Sequence, residues 1–226
     1  ALRILADVDQ LAAELSDHAR GIVGIVRLWA ITSAVTQFLP GDLAAFVAQH
    51  PGIRIELHEG DSRDVVLALL DGRADVGLFA ERTPAPGLSL EPYRRDRLVL
   101  VVPVDHPLAD RPRMAFADAT EYDFVSLSQG TSLAQRLAME TQQLGRSLRV
   151  RIHVRSFDAM CQMVAAGLGI AVLPDAAVQP HLRSMGLARI DLEDAWAERE
   201  LLLGARELGA LARPARLLRE HLLAGR

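Results

Sequence analysis

Apolar and polar positions change period again and again along the first third of the chain. Val23-Gly24-Ile25-Val26-Arg27-Leu28-Trp29 reads as a strand. From Thr32-Ser33 the spacing turns helical, with Val35, Phe38, Leu39, Leu43, Phe46 and Val47 on one stripe. Ile53-Arg54-Ile55-Glu56-Leu57 then alternates with period two, as a strand does. A second helix opens at Asp61-Ser62, places Val65, Val66, Leu69 and Leu70 on its inner face and ends at Gly72. Ala74-Asp75-Val76-Gly77-Leu78-Phe79 is a third strand. Strands alternating with helices predict a parallel sheet with right-handed crossovers. In such sheets ligands sit at the carboxyl ends of strands, beside helix N-termini. Those points are Thr32-Ser33, Glu59-Gly60-Asp61-Ser62 and Phe79-Ala80-Glu81.

The remainder repeats the plan. After a turn at Thr83-Pro84-Ala85-Pro86-Gly87, residues 88–94 read as a short strand and residues 97–103 as a second, apolar one. Arg94-Arg95-Asp96-Arg97 is then a charged turn joining them. Phe124-Val125-Ser126-Leu127 is a strand that hands over to a helix through the polar turn Ser128-Gln129-Gly130-Thr131-Ser132. Residues 148–155 alternate strictly, and Ser156 is placed to cap a helix carrying Phe157, Met160, Cys161 and Val164 on one face. Ile170-Ala171-Val172-Leu173-Pro174, residues 187–192 and residues 200–205 are further strands, and a helix over 211–223 closes the chain. The expected plan is two similar α/β lobes, with the chain crossing from one to the other twice. Ahead of them, Ile4, Val8, Leu11, Leu15, His18 and Ile22 follow the a/d alternation of a coiled coil. That helix either packs on its own domain or pairs two subunits.

Composition narrows the function. Half the residues are hydrophobic, enough for a large core, and only 4% are aromatic, so that core is aliphatic. A net charge of −4 argues against this segment gripping nucleic acid by itself. One cysteine, Cys161, allows no internal disulfide and suits a reducing, cytoplasmic setting. No apolar run reaches membrane-spanning length, and the N-terminus lacks the pattern of a signal peptide. No initiator Met is present, so the expected reading is either a fragment of a longer protein or a processed product.

Enzyme signatures are absent: no nucleophile elbow, no P-loop, no dinucleotide fingerprint at a strand–helix turn. The histidines are scattered, without zinc spacing, and no cofactor is expected. Cys161 belongs to an apolar face, as a structural thiol does. What stands out is a set of small hydroxyls at helix starts: Thr32, Ser33, Ser62, Ser128, Thr131 and Ser156. Capping accounts for any one of them singly. Facing lobes would bring them together on one cleft, where helix dipoles favour a small anion such as a carboxylate. Gln162, on the polar side of its helix, would add an amide. Arg149, Arg151, His153 and Arg155 share one strand face, read as solvated rather than as a docking surface.

Several stretches taken in order resemble the effector-binding region of LysR-type transcriptional regulators. They are Val26-Arg27-Leu28 running to Phe38-Leu39-Pro40, then Phe46 to His50-Pro51-Gly52-Ile53 with Glu59-Gly60. Next come Leu69-Leu70-Asp71-Gly72-Arg73-Ala74-Asp75-Val76-Gly77 and Leu98-Val99-Leu100-Val101-Val102-Pro103 with His106-Pro107-Leu108. The last is residues 164–174, Val-Ala-Ala-Gly-Leu-Gly-Ile-Ala-Val-Leu-Pro. The resemblance implies two Rossmann-like lobes joined by two crossover strands, as in periplasmic binding proteins, preceded by a linker helix. It implies residues 1–22 as that dimerisation helix, 23–98 plus 204–226 as lobe I, and 99–203 as lobe II. A small-molecule inducer would bind in the cleft, and the regulator would be a homodimer or homotetramer. DNA would be bound only through a winged helix-turn-helix domain absent from this chain. By position, Thr32 and Ser33 match the first-strand pocket, Ser126 and Ser128 the second-lobe pocket strand, and Gln162 the polar helix position. With the strand-end residues Ser62, Phe79, Gln129, Gly130 and Ser156 they make up the expected site. Trp29 and Ile31 depart from the family pattern, which favours smaller or polar residues there. The rival readings are a transporter's solute-binding protein and an enzyme on the same scaffold.

Overall fold

The computed structural model describes residues 24–225, so the heptad-patterned helix and Val23 lie outside the described residues. Within them the chain forms two compact units, one of residues 24–79, 83–93 and 202–225, the other of residues 80–82 and 94–201.

In the first unit β1 (Gly24–Ala30) is flanked by two parallel neighbours, β2 (Ile53–Glu59) and β3 (Val76–Ala80). The strand order is β2-β1-β3-β10, where β10 is Glu198–Ala205. Register aligns the carboxyl ends: Ala30 lies opposite Glu59 on one side and Leu78 on the other. Val26, Leu28 and Ala30 alternate into a fully buried face, as a period of two requires. The stripe over residues 35–47 is two helices rather than one, α1 (Thr32–Gln37) and α2 (Leu39–Gln49). The break falls at Phe38, and Pro40, in the first turn of α2, brings no N–H to a longer helix. On the other face α3 (Ser62–Leu70) lies directly on the sheet. A Cβ at Gly77 would come within 2.7 Å of the Val65 side chain, so that seat admits only glycine. The closing helix α8 (Arg213–Ala224) buries Ala215, Leu218 and Leu222.

The second unit is built on β4 (Ser89–Pro103), which pairs antiparallel with β8 (Ala171–Pro174) and β9 (Leu187–Leu192). The short β5 (Arg113–Met114) adds to β9, while β6 (Phe124–Leu127) and β7 (Val150–Val154) form a parallel pair. Four helices complete it: α4 (Phe116–Ala119), α5 (Ser132–Gln143), α6 (Phe157–Ala165) and α7 (Asp175–Val178). Leu98 to Val102, Phe116, Phe124, Met160, Cys161 and Val172 are the centre of an aliphatic core.

One expectation is overturned here. Residues 88–94 and 97–103 are not two strands with a charged turn but one continuous strand of 15 residues. The charges do not force a turn because β10 answers three of the four, Arg95, Asp96 and Arg97. Arg95 Nε lies 3.2 Å from Glu200 Oε1, Arg199 Nε 2.5 Å from Asp96 Oδ1, and Arg97 Nη1 3.2 Å from Glu198 Oε1. As the number rises on β4 it falls on β10, the progression of antiparallel partners. β4 and β10 each carry the chain from one unit to the other.

Candidate functional site

Each unit gathers its expected site residues at the carboxyl ends of parallel strands. In the first, Thr32 opens α1 just after β1, and its hydroxyl donates to Glu59 Oε1 at 2.6 Å. Its proton is committed to that carboxylate, and its lone pairs are what it can offer elsewhere. Ser33 and Ser62 are buried at the first turns of α1 and α3. Capping does not account for them. The residue before α1 is Ile31, which makes no side-chain cap, and α3 is capped by Asp61, whose carboxylate accepts from Arg63 N and Asp64 N. Gly60 N donates to Ala30 O, tying the β2 end to the β1 end. Phe79 is fully buried, and a Cβ at Gly204 would come within 2.7 Å of its ring. Its ring fills the core at the strand end.

The residues that depart from the family pattern divide in the same way. Ile31 is core, at 3% exposure. Trp29 is half-buried, stacked on His58 at 5.0 Å with the Arg73 guanidinium 4.9 Å from its ring, and its buried indole N–H has no partner among the described residues.

In the second unit Ser126 lies in the buried β6, and Ser128 follows it. Both the Ser128 amide (3.0 Å) and its hydroxyl (3.3 Å) donate to Val154 O, at the end of the neighbouring β7. Gln129 and Gly130 are exposed. Thr131 caps α5 by accepting from Ala134 N, and Ser156 caps α6 by accepting from Ala159 N. For these two, capping is the observed role. Gln162 is exposed and donates to Asp158 Oδ2 at 2.9 Å, one turn back on α6.

The strand face carrying Arg149, Arg151 and His153 is solvent-exposed, and Asp123 meets both Arg149 (3.6 Å) and Arg151 (2.5 Å). A separate open hollow of about 480 Å³ is lined by Glu81 and by the paired charges of β4 and β10, residues 95–97 and 198–200. None of the ten expected site residues lines it, and its ion pairs satisfy one another.

Cys161 is fully buried, and burial, reinforced by the Asp158 charge, pushes its thiol up to about 11. A neutral, enclosed thiol is a poor nucleophile. Ellman's reagent at pH 7.5 is expected to leave Cys161 essentially unmodified in the native protein and to label it fully in denaturant. Fast labelling without denaturant would contradict this packing. Among the described residues no three His, Cys, Asp or Glu side chains are grouped to hold a metal ion. No described helix is long and apolar enough to cross a membrane.

Glu59 and Asp61, read from the sequence at a ligand point but not among the ten expected contacts, are neighbours of Thr32 and Ser62. The Glu59-Gly60-Asp61 run was visible as a strand end, but its role as partner to Thr32 needed the register of β1 against β2.

Paired α/β units linked by two strands, with hydroxyls at the ends of parallel strands, define a periplasmic-binding-protein-like ligand-binding fold. The sequence profile of the LysR substrate binding domain matches residues 19–226, and the chain belongs to that family. It is 26% identical over 219 residues to the RuBisCO operon transcriptional regulator of Allochromatium vinosum, covering 97% of this chain and 71% of that protein. Against other curated regulators it spans 68% and 65% of their length. Among solved structures, the regulatory domain of Synechocystis PCC6803 CcmR in complex with 2-PG superposes with a TM-score of 0.81 at 22% identity, covering 89% of this chain and 97% of that one. The effector binding domain of QuiR in complex with shikimate gives 0.77 at 17% identity, covering 89% and 96%. At those identities the likeness establishes the fold.

Proposed function

We propose that this chain is the effector-sensing part of a LysR-type transcriptional regulator. The family match across residues 19–226 carries the reading. The candidates for effector contact are Thr32, Ser33, Ser62 and Phe79 in the first unit and Ser126, Ser128, Gln129, Gly130, Ser156 and Gln162 in the second. Glu59 and Asp61 stand beside the first set and would repel an anion. Asp158, which accepts from Gln162, stands likewise beside the second set. The effector is bound and released unchanged, and no cofactor takes part. Binding biases one arrangement of the regulator over another. The full-length protein works in the cytoplasm as a homodimer or homotetramer, and touches DNA through a domain outside this chain.

The test starts from native mass spectrometry of the purified protein, which identifies the small molecule it carries. Isothermal titration with that molecule is expected to give about ten-fold weaker affinity for Ser128→Ala, the loss of one hydrogen bond in a buried site. Unchanged affinity would remove Ser128 from the site. Conversion of the molecule to a product would replace the sensor reading with an enzymatic one.

A further inference from the structure

The loop 128–131 is bound into the first turn of α5. Thr131 N and Oγ1 both donate to Ser128 O, at 3.1 and 3.0 Å, and Gln135 Nε2 donates to Gly130 O at 3.1 Å. The next residue, Arg136, turns inward. Its side chain is 13% exposed and pairs with Glu140, 12% exposed, at 3.2 Å. Its guanidinium also lies 5.8 Å from the ring of Trp196, which packs edge-on against Phe116 at 5.2 Å. Trp196 occupies the short 3-10 turn Ala195–Ala197, directly before β10. Three residues beyond it Arg199 grips Asp96 of β4 through two contacts of 2.5 Å, and that pair is nearly closed to solvent at 11% and 4% exposure. Every member of this chain of contacts belongs to the second unit.

We propose that Arg136 couples the loop 128–131 to the two strands that link the units, through Trp196 and the Asp96–Arg199 pair. The inference rests on the effector reading, because only a ligand at Ser128, Gln129 or Gly130 would use the route. The parts suit transmission. A guanidinium over an indole is a directional contact with little slack. The paired charges of β4 and β10 hold those strands in one register, so a push at Trp196 reaches both. The paired Arg136 and Glu140 tie the contact to α5 rather than to solvent. Arg136 is thus a positioning residue, and its removal should loosen β4 and β10 at a distance rather than α5 alone.

The test is hydrogen exchange read by mass spectrometry on the intact chain, without effector. The paired substitution Arg136→Met with Glu140→Leu removes both charges together and so leaves no orphan ion in the interior. It is expected to speed amide exchange about ten-fold over residues 95–97 and 198–200 and over the loop 128–131, with residues 171–174 unchanged. Arg136→Lys keeps the charge but loses the flat contact with Trp196, and is expected to give about a three-fold rise over the same strands. Should the paired variant fail to fold, Arg136→Lys decides alone. Strand exchange at the wild-type rate in a folded variant would overturn the proposal, as would a rise spread equally over 171–174. Because no ligand is used, a negative result removes the route and leaves the effector reading standing. Loss of Ser128 from the site by titration would leave the route standing and narrow its input to Gln129 and Gly130.

Discussion

Gly169→Ala is expected to lower the stability of the protein by roughly 2–5 kcal/mol, the largest effect of any single methyl added here. Two causes act together. The residue has a φ of +153°, a backbone region that L side chains rarely adopt. A Cβ at that position would also lie 2.6 Å from Asp123 O, a backbone atom fixed on the other side by the 2.9 Å hydrogen bond from Ile170 N. A flexible side chain could move aside, but this carbonyl cannot without breaking the bridge that aligns Phe124 with Ile170. Phe124 and Ile170 are both core, at 0% and 1% exposure, so the strain passes straight into the packing of the second unit. Urea denaturation followed by circular dichroism measures it. A midpoint equal to that of the wild type would show that the chain finds another path at 169.

The second large effect is expected from Asp96→Ala. Removing one partner of a buried ion pair costs about 3–5 kcal/mol, most of it the penalty of leaving the other charge stranded. Arg199, at 11% side-chain exposure, has little access to water with which to replace two 2.5 Å contacts. The neighbouring pairs offer a built-in control. In Arg95–Glu200 the arginine is 86% exposed, so Arg95→Ala is expected to change stability by under about 1 kcal/mol. The same denaturation curves check both, and equal losses for Asp96→Ala and Arg95→Ala would show that burial does not set the difference.

These two positions also show what could be read from the residues in order. The alternation of strands and helices was legible because each element answers to its own neighbours: Val26, Leu28 and Ala30 point one way by period alone, and Asp61 or Ser156 starts a helix where it stands. The charged run Arg94-Arg95-Asp96-Arg97 misled because its partners lie more than a hundred positions away, Asp96 and Arg199 being 103 apart. A charged segment with no visible partner reads as a solvated turn, and only β10 makes it a strand. The candidate site is read from the same kind of local signal. Strand–helix junctions mark Thr32, Ser33, Ser62 and Ser128, and a strand end marks Phe79, whose ring the structure places in the core. The commitment of Thr32 to Glu59 depends on strand register, and no local pattern encodes it.

The central claim is that a small molecule is sensed at these strand–helix junctions. A crystal structure of the chain with the molecule it carries from the cell tests this most directly. The account predicts that the ligand makes hydrogen bonds to the Thr32–Ser33 turn and Ser62, or to the Ser126–Gly130 segment. A ligand seated elsewhere, among the paired charges of residues 95–97 and 198–200 for instance, would contradict it.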